Sequence, residues 1–282
     1  MRGNTLHLTS PAKINLWLHI LAKRPDGFHE LKTRMCRINV TDDVILSLGN
    51  DGESALSCSD PSLPTDESNL AMRALRSFET RTGIRKPWQI HLEKRIPHGA
   101  GLGGGSSNAA AVFLGLNQLC DSPLSLTELS ELAAQLGSDI PFFLYQAVCD
   151  ASGRGEIITP VSNFGSPLNL VLIKPPFGIS TPWAYQRWAD SKPLVGVPYD
   201  SQPMPWGNMV NDLERPVFEK WLLLPALKKW LLEQDETTGA LMSGSGSTMF
   251  AVTGNESDSL TLAAKAQEFC GESTWVKVAQ TL

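Results

Sequence analysis

No run of hydrophobic residues in this chain is long enough to cross a membrane. Its apolar stretch Ile14–Ala22 is interrupted by Asn15 and His19, which also excludes the core of a signal peptide. No cluster of Lys and Arg could track a nucleic-acid backbone, and the net charge of the 282 residues is −5. Neither nucleic acid nor a membrane is therefore expected as a partner. The five cysteines (Cys36, Cys58, Cys120, Cys149 and Cys270) are odd in number and never in C-x-x-C spacing. That argues against a disulfide frame or a zinc site and fits reduced thiols in a cytoplasm. The five histidines show no H-E-x-x-H spacing, and no metal site built by protein side chains is expected. Internal repeats and low-complexity tracts are absent too. With 42% hydrophobic and 19% charged residues, the composition is that of a soluble globular protein of one large domain or two smaller ones.

What the chain does have is glycine in one place. In Pro97–Ser107 five of eleven residues are glycine. Before this stretch, Trp88, Ile90 and Leu92 alternate with Gln89, His91 and Glu93 as in a strand. After it, Val112, Phe113, Leu116, Leu119 and Cys120 recur at helical spacing, and Ser106, Ser107 and Asn108 are good N-cap types. A strand, a glycine loop and a helix start form a site for anions, because bare backbone can approach a phosphate closely and the helix start offers unpaired N–H groups. The stretch reads as a triphosphate cradle, against the alternative of a flexible turn. It is not a Walker A loop, since Ser106 follows Gly105 where a lysine is required. Gly99, Gly101 and Gly104 fit G-x-G-x-x-G, but Asp121 follows a helix rather than the second strand that a dinucleotide site needs.

Elsewhere, Ile14, Leu16, Leu18 and Ile20 alternate with Lys13, Asn15, Trp17 and His19, which puts Lys13 and Asn15 on the same side of a strand. On this segment alone Lys13 also reads as an ordinary solvated lysine. Arg24-Pro25-Asp26-Gly27 is a turn, because proline presets φ and glycine accepts a positive one. It leads through Phe28 and His29 to expected strands at Lys32–Val40 and Asp43–Leu48, then to a polar loop with Asp51-Gly52. Helices are expected from Leu70 to a stop at Gly83 and after the capping box Ser125-Leu126-Thr127-Glu128. Another should begin at Ser138-Asp139-Ile140-Pro141, where Asp139 alone reads as an N-cap. Ser162–Pro167 reads as a linker, Leu168–Ile173 as a buried strand and Pro193–Pro205 as an irregular loop. Asn211–Glu214 should cap a helix, Trp221–Leu232 should form one, and a second glycine loop spans Ser243–Thr248.

Three of these stretches together are similar to the signatures of a known family. Pro11-Ala12-Lys13-Ile14-Asn15, the loop Pro97–Ser107 and Met242-Ser243-Gly244-Ser245-Gly246 resemble those of the galactokinase, homoserine kinase, mevalonate kinase and phosphomevalonate kinase (GHMP) superfamily. Arg24–His29, Gly137–Pro141 and Asn211–Glu214 further resemble the branch acting on a cytidine-diphosphate-linked methylerythritol in the non-mevalonate isoprenoid pathway. The resemblance implies an α+β, two-domain GHMP kinase fold with the active site in a cleft between the domains. Residues 1–160 would form a ribosomal S5 domain 2-like N-terminal domain and 161–282 a ferredoxin-like C-terminal domain. It implies ATP-dependent phosphorylation of the 2-hydroxyl of the methylerythritol part, with Lys13 and Asp139 as the catalytic pair. An aspartate so placed can accept the hydroxyl proton.

On the same resemblance, ATP falls on Pro97, His98, Gly99, Ala100, Gly101, Leu102, Gly103, Gly104, Gly105, Ser106 and Ser107. The acceptor falls on Asn15, Phe28, His29 and Asp139. Mg²⁺ is expected to arrive with the nucleotide, Ser107 being a candidate weak ligand or, equally, a helix cap. Family members often carry tyrosine where Phe28 stands, so ring stacking is retained without a phenolic hydroxyl. Asn108 replaces an aspartate of some members and removes a negative charge from the helix start. The expected assembly is a monomer or weak dimer. Another kinase of the superfamily and a non-catalytic nucleotide binder are the competing readings. The Phe28-His29 turn argues against the first, and the pairing of Lys13 with Asp139 against the second.

Overall fold

The computed structural model describes residues 5–49 and 52–282; Asp51, expected in a polar loop, lies outside them. The first half contains β1 (Leu6–Lys23), β2 (His29–Leu48), β3 (Ala55–Cys58), α1 (Leu70–Thr82), β4 (Trp88–Glu93), α2 (Gly104–Leu119), α3 (Leu126–Leu136), β5 (Cys149–Ser152) and β6 (Ile157–Pro160). Its sheet runs β3-β4-β2-β5-β6, with β1 paired to β2. The second half contains β7 (Asn169–Lys174), α4 (Thr181–Trp188), the hairpin β8 (Gln202–Met204) and β9 (Gly207–Met209), α5 (Glu214–Lys220), α6 (Leu223–Leu232), β10 (Thr237–Met242), β11 (Met249–Thr253), α7 (Glu256–Cys270) and β12 (Trp275–Gln280). Its sheet runs β10-β11-β7-β12 and is antiparallel throughout, a β-α-β-β-α-β arrangement.

The hydrophobic pattern sets the layers. Outer faces of β2 and β4 pack with α1, α2 and α3 around Phe78, Trp88 and Phe113, all at most 1% exposed. Burying each such side chain stabilises by about 1.5–3 kcal/mol. A second core joins the two sheets, with Ile14 and Leu16 of β1 against Leu170, Leu172, Leu241 and Phe250. A third places α5, α6 and α7 on the far face of the second sheet. The alternation of β1 holds from Ala12 to Leu16 and points the Lys13–Asn15 side toward the glycine loop; beyond the register shift after Asn15, Leu18 and Ile20 join the third core instead. Backbone confirms the approach, since Lys13 N–H donates to the Leu102 carbonyl at 2.9 Å.

Local expectations hold where the signal is local. Asn69 caps α1 through Ala71 N–H, Gly83 ends it in the left-handed region, and Ser125 with Glu128 forms a capping box. Four expectations are corrected. Lys32–Val40 and Asp43–Leu48 are one strand, β2, whose register shifts opposite Pro11; proline has no N–H for the ladder, so the shift falls there. Part of Pro193–Pro205 joins the β8–β9 hairpin. The helix expected from Trp221 starts at Leu223. Asn211–Glu214 is no side-chain cap, because α5 begins after Leu213 without one.

Candidate functional site

A cleft of about 890 Å³ is lined by both halves of the chain. Its floor is the glycine loop. The helix behind the loop starts at Gly104, earlier than the serines suggested, with Gly103 at the N-cap position in the left-handed region at φ +71° and no side-chain cap. Among the described residues the N–H groups of Gly104, Gly105 and Ser106 find no acceptor. Three free donors and the partial positive charge of a helix start therefore face the cleft. Ser107 does not line it: its N–H is bonded to Gly103, and its hydroxyl accepts from Ser10 at 2.8 Å. Asn108 does line the cleft, but its amide is tied inward, Nδ2 donating to Ser10 at 2.9 Å and to Asp42 at 3.0 Å. The serine and asparagine expected as caps instead anchor the helix to β1 and β2.

Lys13 is 3% exposed. Its Nζ donates to Asn15 Oδ1 at 2.7 Å and to the Gly101 carbonyl at 2.9 Å, and it lies 3.7 Å from Asp139 Oδ2. Burial pushes the ammonium's pKa down, and the Asp139 charge partly restores it. Lys13 is therefore no solvated surface lysine. Asp139 is 43% exposed at its side chain. It is not the cap of the short 3₁₀ turn Pro141–Leu144, which Ile140 precedes without any side-chain cap. With no capping duty, the carboxylate is open to the cleft. Asn15 lines the cleft as well, but its amide is committed: Oδ1 to Lys13, and Nδ2 to Thr33 Oγ1 at 2.8 Å.

The second glycine loop, Ser243–Thr248, is buried under the first. Ser243 Oγ donates to the Gly101 carbonyl at 3.1 Å, and Thr248 N–H donates to Ala100 at 3.2 Å. Asn211 holds this loop from below, its Nδ2 donating to the carbonyls of Met242 at 2.7 Å and Gly244 at 2.8 Å. The motif expected to cap a helix thus braces a loop.

At the other end stand Phe28 and His29. Gly27 takes the left-handed φ of +86° and its N–H donates to Arg24 at 3.1 Å, closing the expected turn. Phe28 is 49% exposed, with the Arg154 guanidinium 4.7 Å over its ring. His29 is only 7% exposed and packs against Tyr185 and Trp188. Burial, aided by Lys23, pushes the imidazole pKa down. Burial also raises that of the Tyr185 phenol, with the Asp139 charge adding to it.

Of the residues expected in the site, Lys13, Asn15, Phe28, His29, Asp139 and Pro97–Ser106 line this one cleft, and Ser107 stands behind it. Lys94, Arg154 and Tyr185 line it unannounced. Glycines on both sides of Arg154 were the available signal for that residue, marking a tight turn that exposes its side chain. Asp42 and Asn108 hold Lys94, a pairing across the fold that spacing does not reveal.

Residues 69–147 match the family model for the GHMP kinases N terminal domain. The chain is 42% identical over 284 residues to the 4-diphosphocytidyl-2-C-methyl-D-erythritol kinase of Methylacidiphilum infernorum, covering 99% of this chain and 98% of that protein. It is 39% identical to the corresponding kinase of Syntrophotalea carbinolica over 94% and 95% of the two chains. Among solved structures, a 4-(cytidine 5'-diphospho)-2C-methyl-D-erythritol kinase superposes with a TM-score of 0.77 at 30% identity, covering 98% of this chain and 100% of that one. The homoserine kinase of Cytophaga hutchinsonii, at 18% identity and a TM-score of 0.71 over 100% and 96%, shares the fold.

Proposed function

Because this chain belongs to the 4-diphosphocytidyl-2-C-methyl-D-erythritol kinases of the GHMP superfamily, we propose that Lys13 and Asp139 flank the reacting hydroxyl in its cleft. The protein is an ATP-dependent kinase of the non-mevalonate isoprenoid pathway. One observation carries the assignment of roles: an open, uncapped carboxylate lies 3.7 Å from a buried ammonium that is itself tied to the glycine loop.

Asp139 accepts the proton of the methylerythritol 2-hydroxyl as that oxygen bonds to the γ-phosphorus and the bond to the β–γ bridging oxygen breaks. Lys13 orients the hydroxyl and offsets charge on the transferred group. The N–H groups of Gly104, Gly105 and Ser106 hold phosphate oxygens, so the contribution is positioning and electrostatics. Magnesium fits this site as a companion of the nucleotide. The described residues form no cluster of three His, Cys, Asp or Glu, and Mg²⁺ bound to phosphates keeps waters and needs one or two carboxylates. Asp139 is the carboxylate beside the loop that could reach it, and the ion would supply neutralisation of phosphate charge. Ser107 is set aside as a ligand because its hydroxyl is buried and bonded.

Phe28 and His29 take the cytosine end: the exposed ring stacks, and the imidazole or nearby backbone meets the base edge. We divide the chain into lobes at residues 1–160 and 161–282, with one chain supplying the whole site as a monomer or weak dimer. A cytoplasmic location suits five free cysteines, and no described helix is long and apolar enough to cross a membrane. A coupled assay with ATP tests the reading. Turnover is expected with 4-diphosphocytidyl-2-C-methyl-D-erythritol and not with mevalonate or homoserine; turnover of either of the latter would refute the acceptor assignment.

A further inference from the structure

The acceptor of the reading above, on which this inference rests, has three parts in fixed order: a pyrimidine nucleoside, a diphosphate and a sugar alcohol. The nucleoside end is assigned to Phe28 and His29, and the reacting hydroxyl to Asp139. Between them the diphosphate needs a partner. We propose that Arg154 is that partner, its guanidinium binding the two phosphates that join the nucleoside to the sugar alcohol.

The turn between β5 and β6 supplies the geometry. Arg154 reaches over Phe28 at 4.7 Å. Its neighbour Gly155 lies against the catalytic side, where an added Cβ would stand 3.6 Å from Ser138 Cβ and 3.9 Å from Asp139 Oδ1. One residue thus spans the interval between the base end and the reacting end. The backbone of the turn is fixed: Leu31 N–H donates to the Gly153 carbonyl at 2.8 Å, and Arg154 N–H donates to Glu156 Oε2 at 2.6 Å. The guanidinium lies over the Phe28 ring, and among the described residues its N–H groups make no hydrogen bond. Its carboxylate neighbour Glu156 is 3.6 Å away, beyond hydrogen-bond distance, so its donors are available to a ligand.

The other lysines of the cleft are committed elsewhere, and His98 belongs to the glycine loop at its far end. Lys13 is bonded to Asn15 and Gly101. Lys94 is bonded to Asp42 and Asn108 at the glycine-loop end, with Nζ 3.5 Å from a Cβ built on Gly104. His29 is held toward its neutral form by burial. A planar guanidinium also matches the oxygens of a diphosphate better than an ammonium does.

The test compares cytidine, CMP and CDP as competitive inhibitors against the acceptor, in the wild type, Arg154→Gln and Arg154→Lys. In the wild type, CDP is expected to bind more tightly than cytidine. Arg154→Gln should weaken CDP by about tenfold or more, leave cytidine and the KM for ATP unchanged, and keep the melting temperature. Arg154→Lys should recover part of the CDP affinity. Equal weakening of cytidine and CDP would overturn the proposal, because Arg154 would then serve only the Phe28 platform. Unchanged CDP affinity would overturn it as well. A wild type that turns over none of the cytidine-linked acceptor would instead overturn the underlying acceptor assignment, a separate result.

Discussion

The two glycine loops are alike in composition and opposite in use. The first, Gly99–Ser106, opens on the cleft with the N–H groups of Gly104, Gly105 and Ser106 unpaired among the described residues and a helix behind it. The second, Ser243–Thr248, has every residue buried and ends in a strand. The contact between them is backbone on backbone, because a Cβ on Gly101 would stand 2.2 Å from the Ser243 carbonyl oxygen. Gly101 of the first loop thus admits the second loop, whereas Gly105, at the helix start, meets only Leu70 at 3.7 Å and leaves the cleft side open. Lys13 sits where they meet: a Cβ on Gly244 would lie 3.1 Å from its Nζ. The open side should therefore lose function without losing the fold, and the closed side should lose both.

The largest effect tests the open side. Asp139→Asn is expected to lower kcat by about 10²–10⁴-fold, since an amide cannot take the hydroxyl proton. Melting should hardly move, because the carboxylate is exposed, caps nothing and makes one ion pair at 3.7 Å. A full rate with an unchanged melt would strip Asp139 of its assigned role. Gly101→Ala tests the seam. The residue has φ +74°, and the new Cβ would meet backbone that has no rotamer through which to yield. A loss of about 2–4 kcal/mol is expected, read as a drop in melting temperature together with activity; a wild-type melt would contradict the backbone-on-backbone contact.

Asn211→Asp probes the closed side from below. The substitution keeps the shape but turns a donor to two carbonyls into an oxygen facing both. Stability should fall by about 1–3 kcal/mol, and kcat should fall with it as Gly244 shifts against Lys13. Denaturant unfolding beside kinetics checks this. Lost stability at full kcat would mean that the closed loop supports the fold without tuning the lysine.

This asymmetry also explains what could be read in the chain before its fold. Alternation placed Lys13 and Asn15 together, and Asn69, Gly83 and the Ser125–Glu128 box were legible because each acts within a few residues of itself. The joint assignment of Lys13 and Asp139 came from family signatures, since nothing local marks either. Asp42 falls in the gap between the two strands expected at Lys32–Val40 and Asp43–Leu48. Its buried carboxylate instead accepts from the N–H groups of Arg95 at 2.7 Å and Ile96 at 2.9 Å, partners more than fifty residues away that keep β2 continuous. Asn211 offered a local cap and was taken by a loop thirty residues on. Ser107 and Asn108 read as caps for the same reason, and the cover that Tyr185 and Trp188 give His29 comes from residues more than 150 positions away. Short-range hydrogen bonding is written in spacing; competition from a distant partner is not.

Lys13 gives the comparison a pH axis. Its folded pKa is lowered from 10.5, mainly by burial. Between the lowered value and 10.5 the unfolded chain binds more protons than the folded one, so stability from this group rises with pH through that window. Activity should move the other way, because the reaction uses the ammonium. An alkaline limb in kcat is expected below 10.5, displaced upward in Lys13→Arg. A limb at or above the free-lysine value would deny that burial governs the group.

The smallest effect is the most discriminating for the division itself. Gly105→Ala adds the same methyl group as Gly101→Ala, four residues along the same loop. Gly105, however, lies in the first turn of α2 without a positive φ. Its new Cβ would meet only Leu70 Cδ1, at an ordinary 3.7 Å. Alanine is the better helix former by about 0.5–1 kcal/mol in a helix interior, and by less at a helix start, so melting should hold or rise slightly. The N–H of residue 105 remains available, and the KM for ATP should therefore change far less than kcat does in Asp139→Asn. Thermal melts of the two alanine variants, run together, decide the matter. If Gly105→Ala melts as low as Gly101→Ala, the glycines of the first loop are all structural, and the distinction between an open and a closed loop fails.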